Sequence, residues 1–214
     1  MQLPDIPTGG ANSSKTWPHF IRGFLAQPGQ VASVMPSSRE LQRRISSLPC
    51  VASAQTLVEL GPGTGETTRA LLGRMSATAQ LLCIEIVPEF VALLEQIPDP
   101  RLAVVHGSAH DLEELLPSNL PSPPEVIVSG VPFSHMSPTE GDELVRAIYA
   151  ALAPGGTFVA YQFRDRVRRF ADECFGEPET SFVLRNVPPL WVYQWKKPLV
   201  AADASQPDHE RLRR

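Results

Sequence analysis

Short apolar runs alternate with stretches of helical period through most of this chain. The runs at 56–60, 80–86, 102–106, 125–129 and 157–163 are rich in Leu, Val, Ile and Phe and predict buried strands. Between them, apolar residues recur every three or four positions at about 65–75, from Pro88 to Pro98, at about 109–116 and from Pro138 to Ala153, which predicts helices. Pro117 to Pro124 reads as a proline- and serine-rich loop, and Pro154-Gly155-Gly156 ends the last of these helices. The pattern then changes to a basic helix at 165–175 and two strands, 180–186 and 190–196, around Val187-Pro188-Pro189. Repeated strand–helix units imply an α/β fold with a parallel sheet covered on both faces. In such a sheet ligands bind beyond the carboxyl ends of the strands, near the point where strand order reverses.

The first part of the chain reads differently. Residues 1–16 are small and polar and are expected to be disordered. In 17–26, Trp17, Phe20, Ile21, Phe24 and Leu25 share one helical face, and Pro28-Gly29 ends the pattern. Ser37-Ser38-Arg39-Glu40 has the form of a capping box, with Ser37 as N-cap and Glu40 at N3. It predicts a helix to about Leu48. The expected organisation is a tail at 1–16, a helical lid or membrane-contact segment at 17–48, one α/β domain at 49–198 and a charged tail at 199–214.

Charge narrows the partners. Residues 1–48 carry net +3, residues 49–160 net −9 and residues 161–214 net +2. The acidic middle disfavours a broad nucleic-acid footprint. Arg39, Arg43 and Arg44 form one basic strip, and Arg164, Arg166, Arg168 and Arg169 another. Such charges are worth up to ~1 kcal/mol each against phosphate head groups. Cys50, Cys83 and Cys174 have neither C-x-x-C nor zinc spacing and are expected to be buried free thiols. Neither a signal peptide nor a membrane-length apolar run is evident. The expectation is a cytoplasmic chain, peripheral at most on the inner face of a membrane.

The chemistry concentrates at the ends of the first strands. Glu59-Leu60-Gly61-Pro62-Gly63-Thr64-Gly65 lies between a predicted strand and a predicted helix. Alternate glycines let backbone approach a ligand closely. A dinucleotide loop requires a further glycine at 66, and Glu66 stands there instead, where it repels a pyrophosphate. S-adenosylmethionine has no phosphate; it carries an ammonium, a carboxylate and a sulfonium. Glu59 suits the ammonium and the loop N–H groups of Gly61, Gly63, Thr64 and Gly65 suit the carboxylate. Glu85 ends the second strand, followed by Ile86, and is placed to accept the ribose hydroxyls.

VELGPGTG, the acid in IEI, and LAPGG before a strand together resemble the class I S-adenosylmethionine-dependent methyltransferases over about residues 56–163. That resemblance implies a Rossmann-like three-layer sandwich, with a seven-stranded, mostly parallel sheet and an antiparallel C-terminal pair, here preceded by an N-terminal helical extension. FIRGFLAQPGQVASVMPSSRELQRR, VVHGSAHDL, VIVSGVPFS and FVLRNVPPLWVY resemble the bacterial phospholipid N-methyltransferases, relatives of the ribosomal RNA adenine dimethylases. This implies methylation of phosphatidylethanolamine. Two departures stand out. Where the family has Gly-Asp-Ala, this chain has Gly107-Ser108-Ala109, so Ser108, Ala109 and the nearby Asp111 become the candidates for adenine contact. Where the RNA enzymes resemble Asn-Leu-Pro-Tyr, this chain has Gly130-Val131-Pro132-Phe133, without an amide to hold a nucleobase.

Methyl transfer requires a neutral amine in line with the S–CH₃ bond, and orientation supplies up to ~7–11 kcal/mol in favourable cases. The carbonyls of Ser129 and Gly130 are expected to accept amine hydrogens, and Ser129 also lies beside the cofactor. Phe133 is expected to stack on the developing cation. His135 and Tyr161 are candidates for amine contact or proton removal, against plain loop and core roles. The expected partners are a phospholipid amine and an anionic membrane surface, with no nucleic acid and no metal; the chain acts as a monomer or as an oligomer that the sequence does not specify. A soluble small-amine methyltransferase, an RNA methyltransferase and a non-catalytic cofactor-binding protein remain alternatives.

Overall fold

The computed structural model describes residues 37–199. The expectations for residues 1–36 and 200–214, including the apolar face at 17–26, lie outside the described residues. Two short helices, α1 (Arg39–Ser46) and α2 (Pro49–Ser53), precede the alternating region. There β1 (Thr56–Leu60), α3 (Glu66–Leu72), β2 (Gln80–Glu85), α4 (Pro88–Leu94) and β3 (Leu102–His106) follow in turn. Next come α5 (Leu112–Asn119), β4 (Val126–Ser129), α6 (Pro138–Ala151) and β5 (Thr157–Gln162). The described chain closes with α7 (Arg166–Phe175), β6 (Glu179–Val183) and β7 (Leu190–Lys196). Single 3₁₀ turns at Ala109–Asp111 and Phe133–His135 follow β3 and β4.

The strands form one seven-stranded sheet in the order β3-β2-β1-β4-β5-β7-β6. The first five run parallel, and β7 runs antiparallel to both β5 and β6. This is the expected Rossmann-like arrangement. The order reverses at β1, between β2 and β4, so the glycine loop after β1 sits at the predicted ligand-binding crevice. Every residue of β1 and β4 is buried, as the continuous apolar runs require for strands covered on both faces.

One face of the sheet, with Leu57, Leu81, Val126 and Val159, packs against Leu41, Ile45 and Leu71 of α1 and α3. The opposite layer is aromatic. Phe158 stacks on Trp195 at 5.3 Å between centroids and meets Phe133 edge-on at 6.5 Å. Gly141 lets α6 approach α7, since a Cβ there would lie 2.6 Å from the Phe170 ring. Basic side chains close two helix ends, where carbonyls lack partners. Arg101 donates to the carbonyls of Leu72, Met75 and Ser76 beyond α3, and Lys197 to those of Tyr149 and Leu152 at the end of α6.

Some local expectations need correction. Ser38, not Ser37, is the N-cap of α1, its Oγ accepting from Leu41 N–H at 3.2 Å. Helix α1 ends at Ser46, and Pro49 starts the unexpected α2 at its N1 position. Helix α5 runs past Pro117, with the Asn119 amide donating to the Leu115 carbonyl at 2.7 Å. Of the cysteines, all free, only Cys83 is fully buried. No helix among the described residues is long and apolar enough to cross a membrane.

Candidate active site

The loop after β1 is built on left-handed backbone. Gly61, Gly63 and Gly65 have φ of 64°, 59° and 85°, a region costly for residues with a Cβ. Space separates their roles. A Cβ at Gly65 would lie 2.9 Å from Leu94 Cδ2, and one at Gly61 3.3 Å from Val131 Cγ2, whereas one at Gly63 would meet no protein atom within 4 Å. Gly65 and Gly61 are therefore demanded by packing, and Gly63 borders open space. Thr64 donates its hydroxyl to Glu66, and its carbonyl accepts from Arg69 at 3.1 Å.

Glu85 ties this loop to the next. Its Oε2 accepts from Gly63 N–H at 2.9 Å, and its Oε1 from the N–H groups of Ile86 and Val87 at 2.9 and 3.0 Å. Oε1 thus accepts twice, and Oε2 keeps further acceptor capacity. The Ile86 carbonyl lies 3.1 Å from His106 Nε2. Backbone bonds from Gly61 to Ile84, Gly130 to Leu60 and Gly107 to Glu85 extend the ladder past the strand ends. The loops after β1, β2, β3 and β4 are thus held in one edge.

Glu59 lies below this edge, fully buried. Its Oε2 accepts from the Thr68 hydroxyl at 2.7 Å and from the Cys83 thiol at 3.6 Å, while Oε1 has no hydrogen-bond partner. Burial pushes its carboxyl up to about 7, partly offset by the Thr68 and Cys83 bonds. Burial, then the charge of Glu59, pushes the Cys83 thiol well up.

The loop after β4 shows the largest differences from expectation. Phe133 is completely enclosed between Phe158 and Phe170. A ring with no accessible surface cannot stack on a substrate cation, so Phe133 is a core residue. Ser129 is also buried, its Oγ accepting from Val131 N–H at 3.3 Å. Gly130 is glycine because of Tyr161. A Cβ at 130 would lie only 2.3 Å from the Tyr161 hydroxyl oxygen and 2.8 Å from the Gly61 carbonyl. Burial and then the charge of Glu59 raise the Tyr161 phenol, which contacts the Thr67 side chain. A phenol held that strongly protonated does not remove protons at neutral pH; what it retains is a hydroxyl beside Gly130. His135 lies exposed, its Nδ1 3.1 Å from the Ser134 hydroxyl. Gln162, absent from the sequence reading, donates to the Val131 carbonyl at 2.8 Å from a buried position and braces this loop. Its signal was an amide among the apolar residues of a strand.

After β3, Ser108 and Asp111 are engaged with each other's backbone. Ser108 Oγ accepts from His110 N–H at 3.2 Å and Asp111 Oδ2 from Ser108 N–H at 3.4 Å, while Ala109 is buried. They form a capping box. Asp111 thus takes part through Oδ2 in starting the 3₁₀ turn.

These residues fit S-adenosylmethionine. Open space lies over Gly63, beside the Glu85 carboxylate that accepts from its N–H, and the Glu59 carboxyl is buried in β1 beneath the loop. Two acids and an unpartnered carboxyl oxygen suit a ligand carrying ammonium and sulfonium charge and no phosphate.

Comparison with known proteins agrees. Residues 57–156 match the family described as "Methyltransferase domain". The ornithine lipid N-methyltransferase of Singulisphaera acidiphila is 31% identical over 178 residues, covering 81% of this chain and 92% of that protein. Ribosomal RNA small subunit methyltransferase A of Phenylobacterium zucineum is 32% identical over 100 residues, covering 46% of this chain and 33% of that protein. Among solved structures, the N-methyltransferase NodS of Bradyrhizobium japonicum with S-adenosyl-L-homocysteine superposes with a TM-score of 0.60 at 14% identity, covering 84% of this chain and 97% of that one.

Proposed function

This chain belongs to the class I S-adenosylmethionine-dependent methyltransferases, and from that premise we propose that it methylates the amino nitrogen of a phosphatidylethanolamine-type phospholipid at a membrane surface. The observation that carries this reading is the extent of likeness. The relative named for ornithine lipid is matched over nearly its whole length, and the RNA methyltransferase over a third of its own. Both lipids present an aliphatic amine at a bilayer surface. The packing around Gly130 supports the same reading, because the Tyr161 hydroxyl fills the space a nucleobase-holding side chain would need.

S-adenosylmethionine supplies an electrophilic methyl group on its sulfonium. In this proposal Glu85 accepts from the ribose through Oε2, the N–H groups of Gly61 to Gly65 face the cofactor carboxylate, and Glu59 favours its ammonium. The Ser129 and Gly130 carbonyls and the Tyr161 hydroxyl orient the amine, whose proton passes to water or to His135. Residues 17–26 and the arginines of α1 and α7 approach the lipid at the cytoplasmic face. Incubation with labelled cofactor and, separately, amine-lipid vesicles, ribosomes and a panel of soluble amines tests the reading. Label entering the lipid supports it, and label entering only soluble amines or RNA overturns it.

A further inference from the structure

The tip of the β6–β7 hairpin is the largest feature that the methyl-transfer chemistry leaves unused. Because β7 runs antiparallel to β5, the start of β7 and the end of β6 lie at the sheet edge that carries the active-site loops. At this edge Phe163, Phe182, Leu184, Val187 and Trp191 are exposed by 53%, 45%, 71%, 71% and 40%. Among the described residues only Leu93 and Leu199 are other large apolar side chains so exposed. The patch is built rather than scattered. Phe182 and Trp191 are register partners with ring centroids 4.7 Å apart, and Trp191 continues a stacked row through Tyr193 to Trp195.

The patch connects directly to the active-site loops. Trp191 pairs with Gln162, whose amide holds the Val131 carbonyl. Neighbouring strands are about 5 Å apart, so the hairpin tip stands roughly 15 Å from β4. Its charge is mostly of one sign. Arg185 lies in the tip, and Arg164 and Arg169 are exposed at and after the end of β5. Arg168 is paired with Asp172 at 2.9 Å, and Asp165 is the remaining acid at the start of α7. A clustered apolar surface bordered by arginine matches the interfacial layer of an anionic bilayer, where acyl chains and phosphates are both within reach.

We infer that the β6–β7 tip inserts into the headgroup layer of an anionic phospholipid bilayer and so holds the active-site edge against its lipid substrate. This rests on the lipid-amine reading above and adds the part of the fold that makes the contact. The test uses the full chain and a Leu184→Glu/Val187→Glu variant; both positions face solvent, so folding and cofactor affinity are expected to be unchanged. Binding is measured by co-sedimentation with phosphatidylcholine vesicles with and without phosphatidylglycerol. Turnover is measured on amine lipid in those vesicles and on a short-chain amine lipid dispersed as monomers. The expected result is a loss of vesicle binding and vesicle turnover of about tenfold or more, with turnover of the dispersed lipid retained. A second measurement replaces Trp17 by Phe and follows quenching of Trp191 by brominated acyl chains, Trp195 being buried; quenching on vesicle addition supports insertion. Unchanged vesicle binding by the variant, unquenched Trp191, or a parent protein that ignores anionic vesicles overturns the inference. If the parent methylates a soluble amine and no lipid in either form, the acceptor reading fails instead, and the binding measurements still decide the hairpin's role.

Discussion

Replacing Glu59 by Gln isolates the energetic consequence of a carboxyl buried beneath the cofactor loop. Folding moves this group from the ordinary 4.5 to about 7, chiefly by burial. The folded state therefore binds the proton more tightly than the unfolded chain. The stability penalty is absent below about pH 4.5 and complete above about pH 7, so the native protein loses stability as pH rises through that window. At about 1.4 kcal/mol for each tenfold change in proton affinity, the penalty reaches roughly 3 kcal/mol. Gln keeps an oxygen for the Thr68 hydroxyl but cannot ionise. Its amide also places donors where Oε1 has no partner, which costs about 1–3 kcal/mol at all pH values. The variant's stability relative to wild type should therefore improve by roughly 3 kcal/mol between about pH 5 and about pH 8. Urea unfolding of both proteins across this range, without cofactor, measures the difference directly, since other titrating groups cancel. Parallel pH profiles would refute the reasoning, and would mean Glu59 is ionised in the folded state throughout.

Glu85→Ala should weaken cofactor binding by about 1–3 kcal/mol in calorimetry, because it removes the anchor of Gly63 N–H and, in the proposed site, an acceptor for the ribose. Gly63→Val meets no protein atom with its Cβ but strains the left-handed backbone at φ 59°, at a cost of about 1–2 kcal/mol of stability; it should also lose cofactor binding because its methyls enter the proposed cofactor space, which equilibrium dialysis checks beside thermal unfolding. Gly130→Ala should cost about 1–3 kcal/mol of stability by overpacking against the Tyr161 hydroxyl, and Tyr161→Phe should restore part of it in thermal unfolding.

The sheet was legible because β1, β2, β4 and β5 are buried on both faces, which leaves nearly uninterrupted apolar runs. The glycine loop was legible because left-handed backbone leaves its mark as residue identity at 61, 63 and 65. Phe133 was misassigned for the converse reason. A phenyl ring in a loop after β4 has the same sequence whether it faces substrate or fills the gap between Phe158 and Phe170. The dependence of Gly130 on Tyr161 spans thirty-one positions and arises only when β4 and β5 pair. The capping box between Ser108 and Asp111 likewise appears only in the structure. The hairpin was read as two strands around Val187-Pro188-Pro189, but β6 ends at Val183 rather than at 186, and the apolar exposure of the tip belongs to tertiary structure.

The central claim, that the methyl acceptor is a phospholipid amine, is tested most directly by producing the chain in a bacterium whose membranes contain phosphatidylethanolamine and lack its methylated derivatives. Mass spectrometry of extracted lipids should show N-methylated phosphatidylethanolamine in cells making the wild-type protein and much less in cells making Glu85→Ala at equal abundance. An unaltered lipid profile, with a purified protein that transfers label to soluble amines and not to lipid, would contradict the account.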